Sequence, residues 1–182
     1  MRDFRSILNI LGLLLCIESS AMLVPMFVDL YYGNYDWVQF FYISLLTFII
    51  GLILYFSFRK KNIKLSIRQA FVLTISSWLI IALFGSIPFI YSVSSLSYTD
   101  AFFESVSGIT TTGATVISNL DSLTEGILIW RALLQWFGGI GIIVLAMAIL
   151  PTLQIGGMQL LHMEHDDPYE KTIPKINRFV LE

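Results

Sequence analysis

Four apolar stretches, each about as long as a bilayer's hydrocarbon core is thick, leave this chain few ways to fold. A helix rises about 1.5 Å per residue, so some 20 apolar residues cross a core of roughly 30 Å. Residues 7–28, 37–58, 70–91 and 127–152 each meet that length. Trp37, Tyr91 and Trp130 stand near ends of these runs, where amphipathic rings favour the interface. Composition agrees. The 182 residues are 56% hydrophobic and 13% charged, against roughly 45–50% and about 25% in a soluble domain. A net charge of −2 gives no basic surface for nucleic acid, and the single cysteine, Cys16, excludes an internal disulfide and a cysteine zinc cluster. The expected class is an all-α membrane protein. Paired acid–base residues are lacking in the spans, as are a nucleotide loop and a nucleophile–base set, so an enzyme is not expected.

Positive charge sets the orientation. Arg2 and Arg5 precede the first span, Arg59, Lys60, Lys61, Lys64 and Arg68 fill the loop after the second, and Lys171, Lys175 and Arg178 lie in the tail. Arg131 is the one remaining Lys or Arg of 11. These three regions belong on the cytoplasmic side, and loops 29–36 and 92–124, free of Lys and Arg, belong outside. Both termini are then cytoplasmic, and the segment 99–115 cannot cross. Arg2 and Arg5 before residues 7–15 resemble the start of a signal peptide, but the apolar run continues past Glu18 to residue 28, so an uncleaved span is expected.

The segment that does not cross carries the candidate chemistry. Thr99 is the expected N-cap of a helix of about ten residues stopping near Gly108, with Asp100 in its first turn. Thr110-Thr111-Thr112-Gly113-Ala114-Thr115 follows, better suited to extended backbone than to helix. Irregular backbone survives at membrane depth only where protein buries it or water reaches it. A half-helix leading into such a loop has the layout of a cation filter, in which carbonyl oxygens replace an ion's water shell. An extracellular loop with one amphipathic turn is the competing reading.

Three blocks carry a resemblance. Phe102-Phe103-Glu104-Ser105-Val106-Ser107-Gly108-Ile109-Thr110-Thr111-Thr112-Gly113-Ala114-Thr115 is the first. Trp130-Arg131 with Gln135-Trp136-Phe137-Gly138-Gly139-Ile140-Gly141 is the second, and Gly156-Gly157-Met158-Gln159-Leu160 the third. In this order they resemble the Trk/Ktr/HKT superfamily of potassium transporters, most of all its bacterial TrkH branch. The resemblance implies two leading helices with their cytoplasmic loop (1–68), a first helix–pore loop–helix repeat (69–152) and a cytoplasmic linker (153–182). It implies potassium uptake across the inner membrane of a bacterium, with potassium as the transported ion and no organic cofactor. Thr111, Thr112, Gly113 and Ala114 become the carbonyl ligands, with Glu104, Thr110, Thr115 and Arg131 as their support. Gly113 stands where relatives carrying serine tend to admit sodium. The implied partners are the remaining pore repeats, a cytosolic TrkA-like nucleotide-binding subunit and membrane lipid.

A filter ring needs four loops, and this sequence carries one. Three accounts are open: an amino-terminal piece of a longer transporter, assembly with a second polypeptide, or a homotetramer. The leading helix pair and linker-like tail favour the first. The alternative function is a non-conducting structural subunit or a truncated remnant. Other residues have plainer expectations. Glu18 is expected to be neutral or locally hydrogen-bonded, facing another helix. Arg131 either pairs with Glu104, with Asp121 competing, or snorkels to the interface. Gly138, Gly139 and Gly141 are expected to pack closely against a neighbour or to bend the helix, Pro25 and Pro88 to kink theirs, and Pro151 with Gly156-Gly157 to end the last one. His162, Glu164, His165, Asp166 and Asp167 read as a hydrated loop.

Overall fold

The structure, a computed structural model, describes residues 4–59, 66–93 and 96–165. Among the described residues seven helices follow one another: α1 (Arg5–Ala21), α2 (Leu23–Tyr32), α3 (Trp37–Ser57), α4 (Ile67–Gly85), α5 (Ile87–Ser92), α6 (Tyr98–Ile109) and α7 (Glu125–His165). A 3-10 turn, Leu120–Ser122, precedes α7, and the described residues contain no strand. Two compact units divide the chain, Met1–Gly141 and Ile142–Glu182. The site lies in the first.

Among the described residues four segments are long and apolar enough to cross a membrane: Arg5–Tyr32, Trp37–Ser57, Arg68–Ser92 and Glu125–Val144. Two of them are broken, and proline explains both breaks. A proline has no N–H and its ring presses on the carbonyl four residues back. Pro25 acts on Ala21, the last residue of α1, and Pro88 acts on Phe84, one before the end of α4. Phe89 N–H donates to the Ser86 carbonyl at 3.1 Å, and the Gly85 carbonyl accepts from the Trp130 indole at 2.9 Å. The freed backbone group thus draws α7 onto α4. Pro151 makes no such break. The backbone stays helical to His165, so neither Pro151 nor Gly156-Gly157 ends the helix, and His162 to His165 are helical rather than looped. Asp166 and Asp167 lie outside the described residues.

Small residues set the helix spacing. A Cβ on Gly12 would lie 2.6 Å from Tyr55 N, and one on Gly51 2.9 Å from Cys16 Sγ, so α1 and α3 touch almost backbone to backbone. Asn9 donates to the Tyr55 carbonyl (2.7 Å) and Ser44 to the Ser19 carbonyl (2.8 Å) across the same seam. Beside it Met22, Phe40, Phe89, Ala101, Ile127, Trp130 and Leu134 form the core of the first unit. Outward faces stay apolar: Phe27, Phe56, Ile75 and Trp136 are each about 60% exposed. Such a surface suits lipid or other protein, not water.

Candidate functional site

The site starts at the N-terminus of α6. Ser97, not Thr99, is its N-cap: the Ser97 hydroxyl accepts from Asp100 N–H, and the Asp100 carboxylate accepts from Ser97 N–H, both at 3.3 Å. Reciprocity decides between the two hydroxyls, because Asp100 stands three residues after Ser97 whereas Phe102 follows Thr99. With 12 residues α6 extends about 18 Å, too short to cross a bilayer.

Beyond Ile109 the chain turns on itself. Thr112 N–H and Gly113 N–H both donate to the Ser107 carbonyl (3.0 and 3.4 Å), and Thr111 N–H to the Gly108 carbonyl (2.9 Å). Thr111 (φ 57°) and Gly113 (φ 75°) are left-handed. Glycine adopts this conformation freely, whereas a β-branched threonine does so only under constraint. The Thr110 and Thr112 hydroxyls, 2.9 Å apart, lie on either side of Thr111. Residues 110–116 are all exposed. Among the described residues, the carbonyls of Thr111, Thr112 and Gly113 accept no hydrogen bond. The Ala114 carbonyl differs from them, because it accepts from Ser107 Oγ at 2.6 Å.

Glu104 holds the returning strand of this loop. Its carboxylate is fully buried; Oε1 accepts from Thr115 Oγ1 and Val116 N–H, each at 2.6 Å, and Oε2 meets Arg131 Nε at 3.0 Å. One carboxylate therefore joins α6, the loop and α7. Of the two partners open to Arg131 in sequence, the structure selects Glu104. The carboxyl end of α6 also rests on α7 at Gly138, where a Cβ would overlap the Ile109 carbonyl. Gly139 faces open space and Gly141 has only an ordinary contact with Trp78, so Gly138 alone of the three is a close-approach position. Of the eight residues expected at the site, Glu104, Thr115 and Arg131 are brought together, and Thr110 to Ala114 form the turn beside them.

Sequence reasoning missed two supports. Ser107 receives two loop amides and clamps the Ala114 carbonyl, as above. Asp29, fully buried, accepts from Gly126 N–H (2.8 Å) and Asn34 Nδ2 (3.0 Å), and Asn34 Nδ2 also reaches Glu125 Oε2 (2.7 Å). A Cβ on Gly126 would overlap the Asp29 carboxylate. Asp29 thereby pins the end of α2 to the start of α7. Its signal was an acid at the end of an apolar run, followed by the Gly33-Asn34 turn.

The family described as TrkH, cation transport protein, matches residues 38–178. This chain belongs to the TrkH family. It is 45% identical over 179 residues to the Trk system potassium uptake protein TrkH of Escherichia coli K12, covering 95% of this chain and 36% of that one. To TrkG of the same organism it is 38% identical over 175 residues, covering 94% and 36%. The crystal structure of the potassium transporter TrkH from Vibrio parahaemolyticus superposes with a TM-score of 0.79 at 46% identity, covering 86% of this chain and 34% of that one. The chain thus spans about a third of the length of these TrkH relatives. Members of the family are transporters rather than enzymes.

Proposed function

We propose that this chain supplies one filter loop of a Trk-type potassium uptake pore in a bacterial inner membrane. The carbonyls of Thr111, Thr112 and Gly113 face the ion, with Ala114 at the edge of the set. One observation carries this reading: a turn rich in unbonded carbonyls is braced on a buried Glu104–Arg131 pair. A potassium filter works by offering such oxygens in place of water. The names of the relatives support potassium as the ion. Residues 1–68 act as the leading pair, 69–152 as one repeat and 153–182 as a linker. α6 enters from outside and returns, and both termini face the cytoplasm. The other loops of the ring come from further repeats on the same or another chain, and a cytosolic TrkA-like subunit attends the pore.

The test is ion uptake by cells lacking other potassium uptake systems, carrying the native transporter with Gly113→Ser. No atom lies within 4 Å of a Cβ at Gly113, so the cost is backbone strain alone, about 1–2 kcal/mol. Uptake of potassium relative to sodium falls several-fold. Equal discrimination in an active Gly113→Ser transporter removes the loop from the filter, and a native complex without potassium-dependent uptake makes this chain a structural subunit.

A further inference from the structure

Glu18 has no part in the filter, yet it is a buried acid near the middle of the first span. It is 2% exposed, and neither carboxyl oxygen has a hydrogen-bond partner among the described residues. Ser105, on α6 beside Glu104, is fully buried and its hydroxyl is likewise unpartnered. The two converge on one place. A Cβ on Gly85 would lie 2.8 Å from Ser105 Oγ and 3.1 Å from Glu18 Oε1, with Leu134 Cδ2 also at 3.1 Å. The two oxygens are therefore no more than about 6 Å apart, within the span of two hydrogen bonds, and make no direct one.

We propose that one water molecule sits in the cradle between these two oxygens, beside the crowded Cβ position of Gly85 rather than at it, bridging the protonated carboxyl of Glu18 to Ser105 on the back of α6. An ionised carboxylate buried without a partner is too costly to persist. No hydrogen bond or ion pair among the described residues joins Glu18 to the charges on the surrounding elements. Within the first unit those are Arg5 on α1, Asp29 on α2, Arg68 on α4, Asp100 and Glu104 on α6, and Glu125 and Arg131 on α7; α3 carries none. A metal ion asks for about six oxygen ligands, and this cradle offers one carboxyl and one hydroxyl beside leucine. A buried water needs only two to four polar partners, roughly what is here. The carboxyl proton is donated to the water, and the water donates to Ser105 Oγ. The bridge ties the first span to the half-helix at Ser105, whose preceding residue, Glu104, holds the loop.

Infrared spectroscopy of the native complex in lipid tests this at neutral pH. The expected result is the carbonyl band of a protonated carboxylic acid, lost in Glu18→Gln, moved in Glu18→Asp and displaced in Ser105→Ala through loss of the bridge. Glu18→Gln also keeps a thermal midpoint near the parent's, since a neutral amide suits the same cradle. A carboxylate signal at Glu18 that moves when sodium replaces potassium overturns the proposal in favour of a cation. A protonated band indifferent to Ser105→Ala overturns the bridge. Should Glu18→Gln fail to fold, the parent band and the Glu18→Asp and Ser105→Ala shifts still decide.

Discussion

Glu104 does at residue scale what the loop cannot do for itself. A run of hydroxyls and one glycine has no preferred closed shape, and a left-handed Thr111 resists the one it adopts. The buried carboxylate supplies the constraint through three contacts on two elements. Glu104→Ala leaves Arg131 without a counter-charge and is expected to cost about 3–5 kcal/mol, the scale for breaking a buried pair. Glu104→Gln retains an acceptor for Val116 N–H and costs less, about 1–3 kcal/mol. Thermal unfolding of the detergent-solubilised protein should rank parent above Gln above Ala, and equal midpoints for the two variants would remove the ion pair from the account. The residue types of the site were legible in sequence, because glycine among threonines after a short helix is a local pattern. Its bonding was not. Glu104 and Arg131 are 27 residues apart, and Asp121 and snorkelling to the interface both competed with that pairing until the fold chose. Ser107 acts through its own carbonyl and through its hydroxyl on the Ala114 carbonyl, and its partners are all backbone groups, which leave no mark in a residue pattern.

Elements follow rules the sequence states more openly. Hydropathy gave four spans because the bilayer imposes a length, and Pro25 and Pro88 marked their breaks because ring geometry is local. Helix phase was harder to read. Three glycines near one turn of α7 were equivalent by composition, yet Gly138 alone meets the Ile109 carbonyl. Which glycine faces a neighbour depends on rotation about the helix axis, fixed here by Trp130 reaching Gly85 and Arg131 reaching Glu104. This makes the pair a sharp comparison. Gly138→Ala forces α6 away from α7 and should cost about 1–3 kcal/mol with impaired uptake. Gly139→Ala meets open space and gains helix propensity, so it should leave stability unchanged or raised by up to about 1 kcal/mol. Thermal midpoints of the two variants check this, and a reversed order would mean that α7 is rotated from the phase described.

For the whole molecule, orientation is the property on which every functional statement depends, since a loop on the wrong face filters nothing. Ten basic residues in three separate regions agree on one answer, and the described elements supply positions at which to check it. Tyr35, 89% exposed in the turn between α2 and α3, and Gly113 in the loop should share the outer face, whereas Ser66 at the start of α4 should lie inside. Cysteines placed singly at these positions report this through a membrane-impermeant maleimide applied to intact cells. Cys16, within the first span, provides the background. Tyr35→Cys and Gly113→Cys are expected to label from outside, and Ser66→Cys only after the membrane is opened. Labelling of Tyr35→Cys without Gly113→Cys would separate the loop from the outer mouth while sparing the topology. Labelling of Ser66→Cys in intact cells would invert the topology itself. Positive charge then would not govern insertion here, and α6 with its loop would face the cytoplasm.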